Sequence, residues 1–271
     1  MKVAALQMVS CTHLDENLRI ARGLLEQAAH SGAELAVLPE YFCLMGHKDT
    51  DKLALREPDG EGVVQRFLAD TARALQIWIV GGTLPMQTMS SERVRNTTLV
   101  FDPSGNRVAR YDKIHLFRFD NGQEHYDESR VIEAGQQPVH FDLSARDGRR
   151  WRVGLSVCYD LRFPELYRVH ARAGCDLLLV PSASTHTTGK AHWEVLLRAR
   201  AIENLAYVLA PAPAGQHENG RCTWGHSMLV DPWGEVLAQQ DEGAGVVMGE
   251  LNAKHLEKMR EQLPALSHCV L

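Results

Sequence analysis

The 271-residue chain lacks the marks of several protein classes. Its six cysteines, Cys11, Cys43, Cys158, Cys175, Cys222 and Cys269, include no C-x-x-C pair and no tight cluster, which argues against a structural zinc site or a disulfide framework. No run approaches the roughly 18 apolar residues of a membrane span. The opening Met1 to Met8 reads as a half-buried strand without the charged-then-apolar layout of a secretory signal. With 29 basic and 34 acidic residues the net charge is −5, so no broad positive field is available for nucleic acid or an anionic membrane. No linker rich in Pro, Gly and Ser divides the chain. These absences predict one domain over residues 1–271 in a reducing, cytoplasmic setting, with neither nucleic acid nor membrane as partner.

What is present is a regular alternation of helical and strand-like segments. Leu14, Leu18, Ala21, Leu25 and Ala28 recur at helical spacing, with Thr12 and Asp15 placed like a capping box and Gly32 as the stop. Short apolar strands follow at Leu35 to Leu38 and Ile77 to Val80, separated by a helix from Gly62 to Leu75. Pro103-Ser104-Gly105-Asn106 is turn chemistry between two strands. Residues 113–138 form a long polar segment, and such segments in compact proteins tend to be functional. The second half repeats the plan: strands at Val139 to Leu143, Trp151 to Val157, Leu177 to Val180 and Tyr207 to Ala210, helices at Pro164 to Ala173 and Ala191 to Asn204, and a last hairpin across Asp231-Pro232-Trp233-Gly234. So many strands and hairpins predict an α/β fold with two stacked sheets covered by helices.

Three side chains stand out because each closes an apolar strand, where open α/β sheets place their ligands. Cys158 follows Val153-Gly154-Leu155-Ser156-Val157 and precedes a helix start at Pro164, so backbone N–H groups there could hold an oxyanion and nearby positive charge would lower its thiol pKa. Glu40 follows Leu35-Ala36-Val37-Leu38-Pro39, neighbours that cannot solvate a carboxylate, which suits a general base. Lys113 closes Tyr111-Asp112 before Ile114-His115-Leu116-Phe117. Each has a plainer reading: a buried structural cysteine, a surface glutamate, and a solvated lysine paired with Asp112. The spacings, 113 − 40 = 73 and 158 − 113 = 45 residues, are too long for local contact and natural if three strands end at one edge.

At these residues the chain resembles the nitrilase superfamily of carbon–nitrogen hydrolases. The matching stretches are Leu38-Pro39-Glu40-Tyr41-Phe42, Tyr111 to Phe117, and Cys158-Tyr159-Asp160-Leu161-Arg162-Phe163-Pro164-Glu165-Leu166-Tyr167, and the likeness runs almost end to end. The resemblance implies a four-layer α-β-β-α sandwich, nitrilase-like, that pairs into a homodimer, and a triad of Glu40 as base, Lys113 as oxyanion-stabilising cation and Cys158 as nucleophile. It further implies a second glutamate, matched by Glu128 in Tyr126-Asp127-Glu128-Ser129, holding Lys113 or the substrate. No step of such chemistry needs a metal or an organic cofactor. A Cys–His dyad using His115 or His186 is a weaker reading, since Glu40 fills the base role, and Arg162 reads as a partner for a carboxylate.

Within the superfamily the second half is most similar to the amidases that cleave deaminated glutathione, with Pro181-Ser182-Ala183, Thr188-Gly189-Lys190 and Gly225-His226-Ser227-Met228 as the supporting residues. The alternative is an ω-amidase acting on 2-oxoglutaramate. A further alternative is a catalytically silent binding protein on the same scaffold, and a third a redox sensor built on Cys158. The partner is then a small-molecule amide, with Tyr41, Tyr159, Ser182, Ser184 and Thr188 as candidates for holding it. Ser184 stands where the family usually has Phe, which bears on substrate fit. Lys190 and Arg221 are candidates for meeting an anionic substrate. Trp193, Leu196, Leu197 and Ala201, at helical spacing, read as core or subunit interface.

Overall fold

The structure is a computed structural model that describes residues 1–270. Its central strands are continuous apolar runs because both of their faces are covered. Val3 and Ala5 of the Lys2–Gln7 strand, with Leu35 and Val37 of Leu35–Val37, point into one core, while Ala4, Leu6 and Ala36 between them point into another. The same alternation recurs at Leu177–Leu179, where Leu177 and Leu179 join the first core and Leu178 a third. Three cores separated by two sheets define four layers. The helices Leu14–His30 and Val63–Leu75 lie outside one sheet through Ala21, Leu25, Leu68 and Ala72, and Pro164–Arg172 and His186–Asn204 lie outside the other through Leu166, Trp193 and Leu197. The α-β-β-α sandwich is therefore present.

The two sheets are built alike. In the seven-stranded sheet Lys2–Gln7, Leu35–Val37 and Trp78–Val80 run parallel, flanked by antiparallel Gly245–Glu250 on one side and the Val94–Phe101 and Arg107–Asp112 hairpin on the other. In the six-stranded sheet Arg150–Leu155, Leu177–Leu179 and Tyr207–Ala210 run parallel, flanked by antiparallel His140–Ser144 and Ser227–Val230, with Val236–Gln240 outermost. In each sheet the parallel strands end on the same side, so the segments that follow them gather at one rim.

Several local expectations need correction. Thr12 does not cap the first helix: its hydroxyl donates to Glu218 at 2.7 Å, and the N-cap position is His13, which makes no side-chain cap bond. Asn17 does the anchoring instead, accepting from the Cys11 N–H at 2.8 Å and donating to the Cys11 and Cys43 carbonyls. The helix expected from Ala191 starts at His186, capped by Thr185, whose hydroxyl accepts from the Thr188 N–H. Gly189 lies inside this helix, where a Cβ would meet the Trp224 side chain at 2.3 Å, so the position needs glycine. The strands Leu84–Gln87 and Gly245–Glu250, the Ala214–Gln216 and Cys222–Trp224 hairpin and the helix Ala253–Gln262 carry too little local periodicity to be read from sequence. Residues 113–138 are not plain loop, for Arg118–Asp120 pairs with His125–Asp127 and a 3-10 turn follows at Glu128–Arg130.

One close approach sets the rim. After Trp78–Val80 the chain passes Gly82, at φ +46°, directly against the Leu38-Pro39 segment that leads to Glu40. A Cβ on Gly82 would fall 2.0 Å from the Pro39 carbonyl oxygen, so only glycine fits. Gly82→Ala is expected to lower the unfolding free energy by about 2 kcal/mol or more and to reduce turnover by displacing Glu40. Chemical denaturation alongside an activity assay checks both, and an unchanged midpoint would show that the turn yields.

Candidate active site

Cys158 does not end a strand. The strand stops at Leu155, and after Ser156 and Val157 the thiol opens a 3-10 turn, Cys158–Arg162, with its backbone at φ +48°. That left-handed conformation is uncommon outside glycine and stores strain that the surroundings must hold. Asp160 supplies much of the hold. Its fully buried carboxylate accepts from the Val157 N–H at 2.8 Å, the Tyr111 hydroxyl at 2.6 Å and the His115 N–H at 2.9 Å, with His115 Nδ1 at 2.7 Å. His115 is thereby committed to Asp160 and stacked on Phe163 at 3.7 Å, and His186 packs edge-on against Trp224, so neither forms a dyad with Cys158.

Lys113 is buried, and its plainer pairing with Asp112 does not occur, since Asp112 accepts from Thr97 and Arg110 instead. The ammonium donates to Glu40 Oε1 at 2.9 Å and lies 3.0 and 2.9 Å from the two oxygens of Glu128. Glu40 Oε1 also accepts from Asn96 Nδ2 at 2.9 Å. Glu128 is fixed from two further sides, by the Tyr41 hydroxyl at 2.7 Å and the Phe117 N–H at 2.7 Å. Tyr41, like Cys158, has a left-handed backbone, φ +58°, with its N–H donated to the Thr83 hydroxyl.

The electrostatics follow from burial. Loss of water pushes the Glu40 carboxyl above the ordinary glutamate value of 4.5, Lys113 pulls it back, and the Glu128 charge raises it again. The neighbouring Cys158 thiol also favours the charged carboxylate. For Lys113 burial opposes the charge, but Glu128 and Glu40 outweigh it and hold the pKa well above its usual value. The Cys158 thiol is raised rather than lowered: burial and the Glu40 charge exceed the opposing pull of Lys113 and of the Ala183 backbone N–H. The lowering expected from nearby positive charge is therefore overturned. The resting site holds a thiol beside a poised carboxylate.

Two cavities meet at Cys158, sharing Phe117, Ala183 and Thr185. The first, about 690 Å³, is also lined by Glu40, Tyr41 and Glu128, and the second, about 410 Å³, by Tyr159, Ser184 and Thr188. Ser182 lines neither: it is buried, and its hydroxyl donates to the Val180 carbonyl at 3.1 Å. Lys190 is exposed and lines neither, whereas Arg221 lines the first. Arg162 has no carboxylate partner there; its guanidinium lies 3.1 Å from His192 Nδ1 and over the Tyr159 ring. Sequence reasoning missed Asn96, Lys52 and Asp49, isolated polar residues with no local pattern to single them out. Among the described residues no group of His, Cys, Asp or Glu is arranged to hold a metal ion.

The profile of the family described as Carbon-nitrogen hydrolase matches residues 2–261. The chain belongs to that family. This hydrolase is 43% identical to a deaminated glutathione amidase of Synechocystis sp. over 98% of its own length and 97% of the relative's. It is 36% identical to human omega-amidase NIT2, over 97% and 92%. Among solved structures it superposes on the C. elegans NitFhit protein with a TM-score of 0.89 and 37% identity, covering 99% of this chain and 65% of that longer one.

Two outcomes follow for the hydrolase. Asp160→Ala would strand the buried Tyr111 hydroxyl and Val157 N–H and free the half-buried His115, so a loss of about 3 kcal/mol in stability and at least a tenfold fall in kcat are expected, read by urea unfolding and steady-state kinetics. If Glu40 serves as the base it must act when ionised, and because its pKa is raised kcat/KM should fall as pH drops through a midpoint above 4.5, with Glu40→Gln nearly inactive at every pH. A limb at or below that value would contradict the role of burial.

Proposed function

We propose that this hydrolase is a cysteine amidase that cleaves a linear amide through a thioester, with deaminated glutathione as substrate and 2-oxoglutarate and cysteinylglycine as products. The observation that carries the reading is the single buried network in which Lys113 joins Glu40 and Glu128, with Glu40 and the thiol of Cys158 lining the same cavity. Cys158 Sγ attacks the amide carbon while Glu40 takes its proton. Two of the three Lys113 N–H donors are engaged by carboxylates, and the third is available to the oxyanion as the carbonyl oxygen gains charge. Glu40 then gives its proton to the departing nitrogen, the C–N bond breaks, and the acyl group stays on sulfur. A water molecule, deprotonated by Glu40, attacks the thioester, and the thiol regains its proton as the acid leaves. Glu128, pinned by Tyr41 and Phe117, keeps Lys113 in place through both halves.

The names of the relatives support both deaminated glutathione and 2-oxoglutaramate as substrate. They share an acyl group and differ in the amine released. The reading extends to one hydrolase domain over residues 1–271 acting on a small molecule, with neither nucleic acid nor membrane as partner. A homodimer is supported by Val195 and Ile202, apolar and exposed on the outer helix His186–Asn204, with Trp233 exposed nearby where Gly234 packs on Ile202. No helix among the described residues is long and apolar enough to cross a membrane. A cytoplasmic setting is supported by Cys11, Cys43, Cys158, Cys175 and Cys222, all unpaired thiols.

Release of 2-oxoglutarate from deaminated glutathione and 2-oxoglutaramate should be abolished in Cys158→Ala, with the folded state retained by circular dichroism. The wild type should form an acyl adduct on Cys158 in mass spectrometry of the quenched reaction. Turnover retained by Cys158→Ala would sink the mechanism, and no turnover or adduct with any amide in the wild type would favour the silent scaffold.

A further inference from the structure

The two cavities that meet at Cys158 differ in which catalytic groups they expose, and this assigns their contents. Glu40 and Glu128 line the first cavity and not the second. If Glu40 is the group that hands a proton to the departing nitrogen, that nitrogen lies in the first cavity. The acyl portion then extends into the second, and whatever is attached to the nitrogen extends along the first.

Along the first cavity stand four charged side chains that the chemistry does not use, Asp49, Lys52, Asp127 and Arg221, of which Asp127 is taken up by the Ser129 N–H and hydroxyl. Arg221 Nη2 lies 2.7 Å and Lys52 Nζ 3.7 Å from the same Asp49 carboxylate. Two cations thus share one carboxylate as their direct ion-pair partner. The Lys52 side chain is only 12% exposed, and its ammonium sits 4.8 Å from the centroid of the Tyr41 ring, while the Arg221 guanidinium lies 6.0 Å from that of Tyr126. Burial disfavours the charge on Lys52, and Arg221 disfavours it further. Such a pair gains most from a second carboxylate entering the cavity. A purely structural role is already filled: Asn219 ties the 217–222 turn to the 45–46 backbone through the Met45 and Gly46 carbonyls without either cation.

We infer that Lys52 and Arg221 form a subsite for a carboxylate carried on the amine side of the scissile bond. The preferred substrate is then an amide whose leaving amine is itself anionic, such as a short peptide with a free C-terminus, rather than a primary amide that releases ammonia. This rests on the amidase reading above and on Glu40 as its proton carrier. Hydrolysis is balanced as before, water supplying hydroxyl to the acyl carbon and a proton to the nitrogen.

Three substrates with one acyl group test it: deaminated glutathione, its C-terminal carboxamide, and 2-oxoglutaramate. In the wild type, capping the carboxylate as carboxamide should lower kcat/KM at least tenfold, mainly through KM, a measurement that needs no variant. Lys52→Met and Arg221→Gln should each lower kcat/KM for deaminated glutathione by a similar factor. Losses on the carboxamide and on 2-oxoglutaramate should be at least fivefold smaller, because neither presents the anion. Equal losses on all three substrates, or wild-type indifference to the carboxamide, would overturn the subsite while leaving the amidase intact. Wild-type inactivity on all three would overturn the amidase reading itself, and the subsite with it.

Discussion

The site depends on one buried ammonium held between two carboxylates. Lys113 cannot be taken out of water alone, and neither can Glu40 or Glu128; together they form a cluster in which attraction offsets desolvation. The cluster is not neutral, since two carboxylates face one cation. That imbalance is chemically useful. It keeps Lys113 protonated and raises Glu40 toward the range in which a carboxylate can accept and return a proton. The surrounding donors from Asn96, Tyr41 and Phe117 divide the labour, one stabilising Glu40 and two immobilising Glu128.

Cys158 occupies the complementary position. Its left-handed backbone brings the thiol to the junction of two cavities, and with its raised pKa the proposed mechanism makes it nucleophilic only as Glu40 removes the proton. A resting thiol is less open to oxidation than a thiolate. Activation and attack are thus one event, which ties the reactivity of the cysteine to the presence of an electrophile rather than to the pH of the medium.

The layered architecture and the main parallel strands were readable because strand and helix periodicities differ and because glycine and proline punctuate them. That Glu40, Lys113 and Cys158 come together was legible because each follows a strand in a motif far from the others in sequence. What escaped was decided by tertiary contact. Thr12 looks like a cap until Glu218 takes its hydroxyl. Asn96 is one polar residue in an apolar strand, and nothing local says that its amide reaches Glu40 across 56 positions. Ser182 was attractive as a motif residue, yet its hydroxyl turns back to the chain. The sign of the thiol shift was also beyond local reading, because it weighs Lys113 against Glu40 and burial at once.

The bond from the Tyr111 hydroxyl to Asp160 has a wider meaning. Tyr111 belongs to the seven-stranded sheet and Asp160 follows the Arg150–Leu155 strand of the six-stranded one, so this contact crosses from one sheet's segment to the other's. Glu40 and Lys113 are likewise delivered by the first sheet, and Cys158 by the second. Neither half of the chain carries a reaction centre by itself. The similar plan of the two halves therefore does not make them interchangeable modules, and the working unit is their docked pair, joined where the side chains of one complete the turn of the other.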